Sequence, residues 1–149
     1  MKCRLKSVPP VLRTGMDLVT VSDVASSVET FGDRYLQRVY SEREIETCTA
    51  ADGSTSAERL AARFAAKEAV VKALRPDVGL DYRSMEVMLD AAGAPTMSFS
   101  GAADKWVRSL NVLSSSVSLT HDGGLAGAIF VAMIDESAPV RTKYSRRKK

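Results

Sequence analysis

Residues 56–74 read SAERLAARFAAKEAVVKAL, and the rest of the chain is organised around this stretch. Ala, Leu, Arg, Glu and Lys dominate it, Gly and Pro are absent, and Pro76 follows its end. This composition predicts one long helix with Ser56 as its N-cap. An apolar stripe, spaced for ~100° of rotation per residue, should face the core, and its members are Leu60, Phe64, Val71 and Leu74.

Lys67 falls inside this apolar stripe. A buried ammonium group is costly unless an anion meets it. One interpretation is that the Lys67 stem packs in the core while its charged end reaches solvent. The other is that the anion of a bound ligand meets the ammonium group.

Glu68 and Lys72 lie four residues apart on an adjacent face of the helix, and Ala61 and Ala65 should leave that face open. An ordinary surface ion pair between residues i and i+4 is one interpretation of Glu68 and Lys72. The functional alternative is a carboxylate that holds a metal ion, with two lysines, Lys67 and Lys72, that hold phosphates.

Charge is unevenly distributed along the 149 residues, whose net charge is +3. Residues 141–149 carry six basic and no acidic side chains, so residues 1–140 carry 15 basic against 18 acidic groups, a net charge of −3. The body of the chain therefore does not have the charge of a nucleic-acid-binding domain. Use of the basic tail on nucleic acid is kept as an alternative function.

Cysteine and histidine usage argues against a zinc site, because the chain has two Cys without metal-ligand spacing and one His. Two such thiols predict a reduced, cytoplasmic protein. No apolar run resembles a signal peptide or a membrane span, so no membrane partner is expected. The basic start of the chain predicts a flexible arm at 1–10, with a transit peptide as the alternative.

Strand and helix patterns fill one domain at 11–136, followed by a basic disordered tail at 137–149. Asp17 stands late in the first strand, where an acid marks a sheet edge or a site. Gly15 lets another part of the chain approach that strand. Ser41 and Glu44 match a capping box. The predicted strands are 11–19, 85–90, 96–99, 116–121 and an apolar, central strand at 125–134, and the predicted helices are 21–30, 34–40, 41–47 and 102–110.

Five segments carry a family resemblance, and they are GMDLV at 15–19, FGDRYL with SERE at 31–44, RFAAKEAVVKAL at 63–74, MEVMLDAAGAP at 85–95 and VSLTHD at 117–122. In this order they resemble the holo-acyl-carrier-protein synthase family of 4′-phosphopantetheinyl transferases. The resemblance implies an α+β fold in which an antiparallel sheet packs on the long central helix. It also implies a homotrimer with a site at each subunit boundary.

The resemblance further implies transfer of the phosphopantetheine arm of coenzyme A to a serine of an apo acyl or peptidyl carrier protein, releasing adenosine 3′,5′-bisphosphate. Asp17 and Glu68 match the acids that hold Mg²⁺, which prefers oxygen ligands. Lys67 and Lys72 match the lysines that bind coenzyme A phosphates, which would supply the anion for Lys67. Glu68 is the expected general base, and the hairpin His121 either binds a coenzyme A phosphate or assists proton transfer.

The sequence leaves open whether the chain turns over coenzyme A and which carrier protein it modifies. A degenerate family member that binds coenzyme A without turnover is an alternative to the transferase. The carrier protein could serve fatty-acid, polyketide or peptide synthesis. The family's Gly-rich loop after the main helix is replaced here by RPDVG at 75–79.

Overall fold

The computed structural model describes residues 9–137. The predicted arm at 1–10 and tail at 137–149 lie outside the described residues, apart from Pro9, Pro10 and Ser137, and their boundaries stay predictions. The elements in chain order are β1 (Val11–Thr20), α1 (Val21–Phe31), α2 (Asp33–Val39), α3 (Glu42–Cys48), α4 (Ala57–Leu74), a 3-10 turn (Tyr82–Ser84), β2 (Met85–Leu89), β3 (Pro95–Phe99), α5 (Gly101–Ser109), β4 (Val112–Asp122) and β5 (Leu125–Ile134).

The sheets are antiparallel, and the predicted α+β class is confirmed. The main sheet has the order β1-β5-β4, and β2 pairs with β3 in a separate hairpin. The central position of β5 agrees with its nearly continuous apolar sequence. β1 is therefore an edge strand of its sheet.

The long helix α4 packs closely on the inner face of the main sheet. A Cβ atom added at Gly15 of β1 would lie 2.0 Å from the Ala69 carbonyl oxygen and 2.7 Å from the Ala73 amide nitrogen. The approach predicted at Gly15 is therefore made by the backbone of α4. Ala61 and Ala65 are fully buried, so the prediction that they leave an open face is wrong. Small side chains bring α4 against its neighbours instead of exposing it.

One strand is longer than its sequence pattern indicates. β4 begins at Val112, four residues before the predicted start at Ser116. The preceding serines lack apolar alternation, but Ser114 and Ser115 pair with Met133 and Ala132 of β5. A register shift between Val112 and Ser114 accommodates the start of this pairing.

The short helices form an apolar cluster over the N-terminal half of α4, which is built from Val24, Leu36, Tyr40, Cys48 and Leu60 among others. The capping box of α3 is confirmed. Glu44 N donates to Ser41 Oγ at 3.2 Å, and Ser41 N donates to Glu44 Oε2 at 2.9 Å.

The outer face of the main sheet is apolar and uncovered in the single chain. Strand pairing places Leu12 opposite Met133 and Met16 opposite Ile129, and Met16 is 68% exposed. Leu18 lies on the same face.

Within residues 9–137, no helix has the length and apolarity needed to cross a membrane.

Candidate active site

Lys67 is buried, as its place in the apolar stripe predicts, but a protein carboxylate supplies its anion. Its Nζ donates to Glu44 Oε2 at 2.6 Å and to the carbonyl oxygens of Val39 and Tyr82, each at 2.9 Å. Both side chains of the Lys67–Glu44 pair are 0% exposed. Because three protein acceptors surround the ammonium group, this geometry disfavours a phosphate contact of Lys67, and its coenzyme A-binding role stays a prediction. The snorkelling alternative is wrong.

Glu44 joins three elements through this buried pair. Its Oε2 caps α3 and pairs with Lys67 of α4, while its Oε1 accepts the backbone N–H of Val87 in β2 at 2.9 Å. Burial lowers the pKa of Lys67 and the Glu44 charge opposes that shift. A buried ion pair is tolerated when hydrogen bonds satisfy its remaining polar atoms, and here they do so on both partners.

A cleft of about 490 Å³ lies where β1, α1, α2 and α4 meet. Asp17 of β1 and Glu68 of α4 both line it, together with Asp23 of α1 and the rings of Tyr35 and Phe64. The structure thus brings together the two acids that the sequence analysis selected from separate segments.

Lys72 pairs with Asp17, one of the acids that line this cleft. Its Nζ donates to Asp17 Oδ1 at 2.7 Å and to the Met16 carbonyl oxygen at 3.1 Å. The hydrogen bond from Lys72 to Asp17 raises the pKa of Lys72, so this side chain is a cation at neutral pH. The alternative of a surface pair with Glu68 is wrong, since Lys72 and Glu68 have different partners.

Glu68 is held by Tyr82, a residue that the sequence analysis did not select. The Tyr82 hydroxyl donates a short hydrogen bond to Glu68 Oε1. The Tyr82 ring stacks on Phe64 with centroids 5.8 Å apart and an interplanar angle of 17°. Nothing in the loop sequence LDYRS around Tyr82 signals this contact, because it depends on how the loop folds back onto α4.

His121 lies apart from the two acids but on the same face of the sheet. It pairs with Ala126 of β5, which on its other side pairs with Val19 of β1. Since paired strands are spaced by ~4.8 Å, His121 lies about 10 Å across the sheet from Val19. His121 is exposed at the end of β4 and does not line the cleft that contains Asp17 and Glu68.

The carboxylates of Asp17 and Glu68 fit Mg²⁺ only if a bound substrate contributes further oxygen ligands. Among residues 9–137, no group of three or more His, Cys, Asp or Glu side chains could hold a metal ion. Asp17 and Glu68 supply two carboxylates to one cleft, and Mg²⁺ commonly takes one or two carboxylates and completes its octahedron with phosphate and water oxygens. The residues therefore fit a metal ion that binds together with a phosphate-bearing substrate.

Comparison with known proteins gives consistent matches over this region. A family model described as the 4′-phosphopantetheinyl transferase superfamily matches residues 13–126. A holo-[acyl-carrier-protein] synthase of Chloroflexus aggregans is 40% identical over 140 residues, which cover 85% of this chain and 99% of the relative. One from Koribacter versatilis is 39% identical over 113 residues, covering 74% of this chain and 89% of the relative.

Solved structures agree with the sequence relatives. An ACPS–CoA complex from Chronobacterium ammoniagenes has a TM-score of 0.73 at 27% identity and covers 83% of this chain and 98% of that chain. The Helicobacter pylori holo-[acyl-carrier-protein] synthase in complex with coenzyme A has a TM-score of 0.69 at 29% identity, covering 80% and 98%.

The fold and the acidic cleft thus define a 4′-phosphopantetheinyl transferase. Within that superfamily the chain belongs to the holo-acyl-carrier-protein synthase family, as the resemblance predicted.

Proposed function

We propose that the chain transfers the 4′-phosphopantetheine group of coenzyme A to a serine of an apo acyl carrier protein and releases adenosine 3′,5′-bisphosphate. The proposal rests on Asp17 and Glu68, which line one cleft, and on Lys72, which pairs with Asp17, because transfer from a pyrophosphate needs acids for a metal ion and a cation for the leaving group. The names of the sequence relatives support the same reaction. The nucleic-acid alternative has no comparable support.

Asp17 and Glu68 would hold Mg²⁺ in this proposal. The ion, when bound, would offset phosphate charge and polarise the phosphorus under attack. Lys72 would place its ammonium group beside the phosphate that departs with the bisphosphate, and thereby stabilise the charge that develops there. The pairing of Lys72 with Asp17 keeps this cation at the cleft before the substrate arrives.

Glu68 is the proposed acceptor of the carrier serine proton. Its Oε1 accepts from Tyr82, and among the described residues its Oε2 has no hydrogen-bond partner. A carboxylate oxygen without a partner in a cleft is available for a proton or a ligand. His121, which lies on the same face of the sheet but two strands away from β1, is proposed to contact coenzyme A and not the attacking serine.

We also propose that three copies assemble, with the apolar outer sheet face of Leu12, Met16, Leu18, Ile129 and Met133 covered by neighbouring copies. An exposed apolar patch of this kind marks an interaction surface, and the family resemblance favours a trimer over a dimer. The free, buried Cys48 thiol supports a reducing, cytoplasmic location. Fatty-acid and polyketide carriers are both candidate partners.

Intact mass spectrometry of a panel of apo carrier proteins, incubated with coenzyme A and Mg²⁺, tests the reaction. We expect a phosphopantetheine mass increase that disappears when the metal is chelated. Glu68→Gln and Lys72→Ala should each lower the single-turnover rate by more than about a hundredfold. The double variant should lose less than the product of both effects, because both residues act on one cluster.

Glu58→Gln and Lys105→Ala are matched controls, because both side chains are exposed outside the cleft. Near-wild-type transfer by Glu68→Gln and Lys72→Ala would refute the assignment of the site. Binding of coenzyme A by the wild type, with no mass increase on any carrier, would favour the alternative of a non-catalytic coenzyme A-binding protein.

A further inference from the structure

We propose that Tyr82 is a positioning residue for Glu68: its hydroxyl fixes one carboxylate oxygen so that the other faces the ligand in the cleft. The inference rests on the proposed function, since it assigns a task to a neighbour of the proposed metal ligand and base. The observation behind it is the short hydrogen bond from Tyr82 Oη to Glu68 Oε1.

Tyr82 is itself held from three sides. The buried Lys67 Nζ donates to the Tyr82 carbonyl oxygen at 2.9 Å. The ring stacks on Phe64. Asp81 caps the 3-10 turn by accepting the Arg83 N–H at 3.0 Å. A hydroxyl on such a fixed frame orients its acceptor at little further entropic cost.

The Tyr82 phenol can donate this hydrogen bond to Glu68 throughout the neutral pH range. An ordinary phenol has a pKa of ~10, so the Tyr82 hydroxyl carries its proton at neutral pH and donates to Glu68. A hydrogen bond from a neutral donor to an ionised carboxylate is stronger than one between neutral groups.

Without this hydroxyl, Glu68 has another partner within reach. Lys72 lies one helical turn further along α4, at the i+4 spacing that allows an ion pair. Pairing of Glu68 with Lys72 would turn the carboxylate toward the helix surface and draw the lysine from Asp17. Tyr82 therefore keeps the acid and the cation of the site apart.

Tyr82→Phe tests this inference, because it removes the hydroxyl and retains the ring that stacks on Phe64. Three quantities are measured: Mn²⁺ affinity in the presence of coenzyme A, from electron paramagnetic resonance of the free ion, and kcat and the KM for coenzyme A with an apo carrier protein as acceptor. We expect Mn²⁺ affinity and kcat each to fall by about tenfold or more. The KM for coenzyme A should stay near the wild-type value and the thermal melt should show a folded protein.

Tyr40→Phe is the matched control. It removes a tyrosine hydroxyl that donates to the Leu60 carbonyl oxygen at 3.0 Å and does not touch Glu68. It should lower the melting temperature without changing Mn²⁺ affinity. Equal Mn²⁺ affinity and kcat in the wild type and Tyr82→Phe, or no Mn²⁺ binding by the wild type, would overturn the inference. If the wild type modifies no carrier, the proposed function fails, and the Mn²⁺ affinities still decide the role of Tyr82.

Discussion

Lys67 and Glu68 are neighbours in the sequence, yet their side chains serve different parts of the molecule. Lys67 lies in the core, where Glu44 compensates its charge, whereas Glu68 lines the cleft. Successive residues on a helix point about 100° apart, so one dipeptide can combine an internal ion pair with a ligand-facing acid. The sequence located both residues but could not reveal that Glu44, 23 positions earlier, meets Lys67.

Lys67→Met should destabilise the fold by about 3–5 kcal/mol, because it leaves the Glu44 charge buried without its partner. Combining it with Glu44→Gln removes that charge and should recover a large part of the loss. Urea unfolding of both variants measures the difference. Coenzyme A affinity of the double variant, measured by calorimetry, should match the wild type. A large loss of affinity in a folded double variant would support the phosphate-binding role of Lys67.

Gly15→Ala should cost about 3 kcal/mol or prevent folding, because the new methyl group collides with the backbone of α4 and not with a movable side chain. Thermal and urea unfolding give the change in the free energy of unfolding. Gly79→Ala is the control, since a Cβ atom there meets nothing within 4 Å, and its stability should be unchanged or slightly higher. Equal stability of the two variants would contradict the close packing of β1 on α4.

At the scale of elements, composition predicted α4 well because its helix formers and the following Pro act locally. The apolar stripe was predicted correctly at Leu60 and Leu74, whereas the face of Ala61 and Ala65 was misjudged as open, since apolarity alone ranks Ala below Leu and Phe. The packing of α4 on the sheet is determined instead by how closely the backbones of α4 and β1 approach each other. Gly15 and the Ala side chains of α4 set that distance together. Similarly, the start of β4 depends on pairing with β5, and the local sequence of serines does not predict that pairing.

The C-terminus of α4 offers a prediction of its own. Arg75 caps the helix in the left-handed conformation with φ 52°, a geometry that costs a non-glycine residue about 1–2 kcal/mol. Arg75→Gly should therefore stabilise the chain by about 1 kcal/mol. Arg75→Ala removes the same side chain but keeps the strain, so it should not stabilise. Calorimetric melting of both variants separates the two effects, and stabilisation by Ala alone would point to the Arg75 side chain instead.

At the scale of the whole molecule, the proposed trimer depends on the apolar outer face of the main sheet. Ile129→Lys places a charge in the centre of the apolar outer sheet face, opposite Met16, and should shift the protein from trimer to monomer in light scattering. Because the family resemblance predicts a site at each subunit boundary, transfer activity should fall with the trimer. Leu89→Lys, which changes an exposed apolar side chain at the end of β2, should leave the mass unchanged. A monomeric, fully active wild type would contradict the assembly.

The pairing of β1 with β5 also governs how the chain is made. Val11 lies opposite Ile134, so the first strand synthesised finds its neighbour only when the last has left the ribosome. At ~5–20 residues per second, that delay is on the order of 10 s, and during it the apolar side chains of β1 have no sheet to join. We expect nascent chains arrested before Leu125 to be digested by protease throughout, and released full-length chains to resist it over the folded domain. The N-terminal strand is therefore the segment that a chaperone would have to shield during translation.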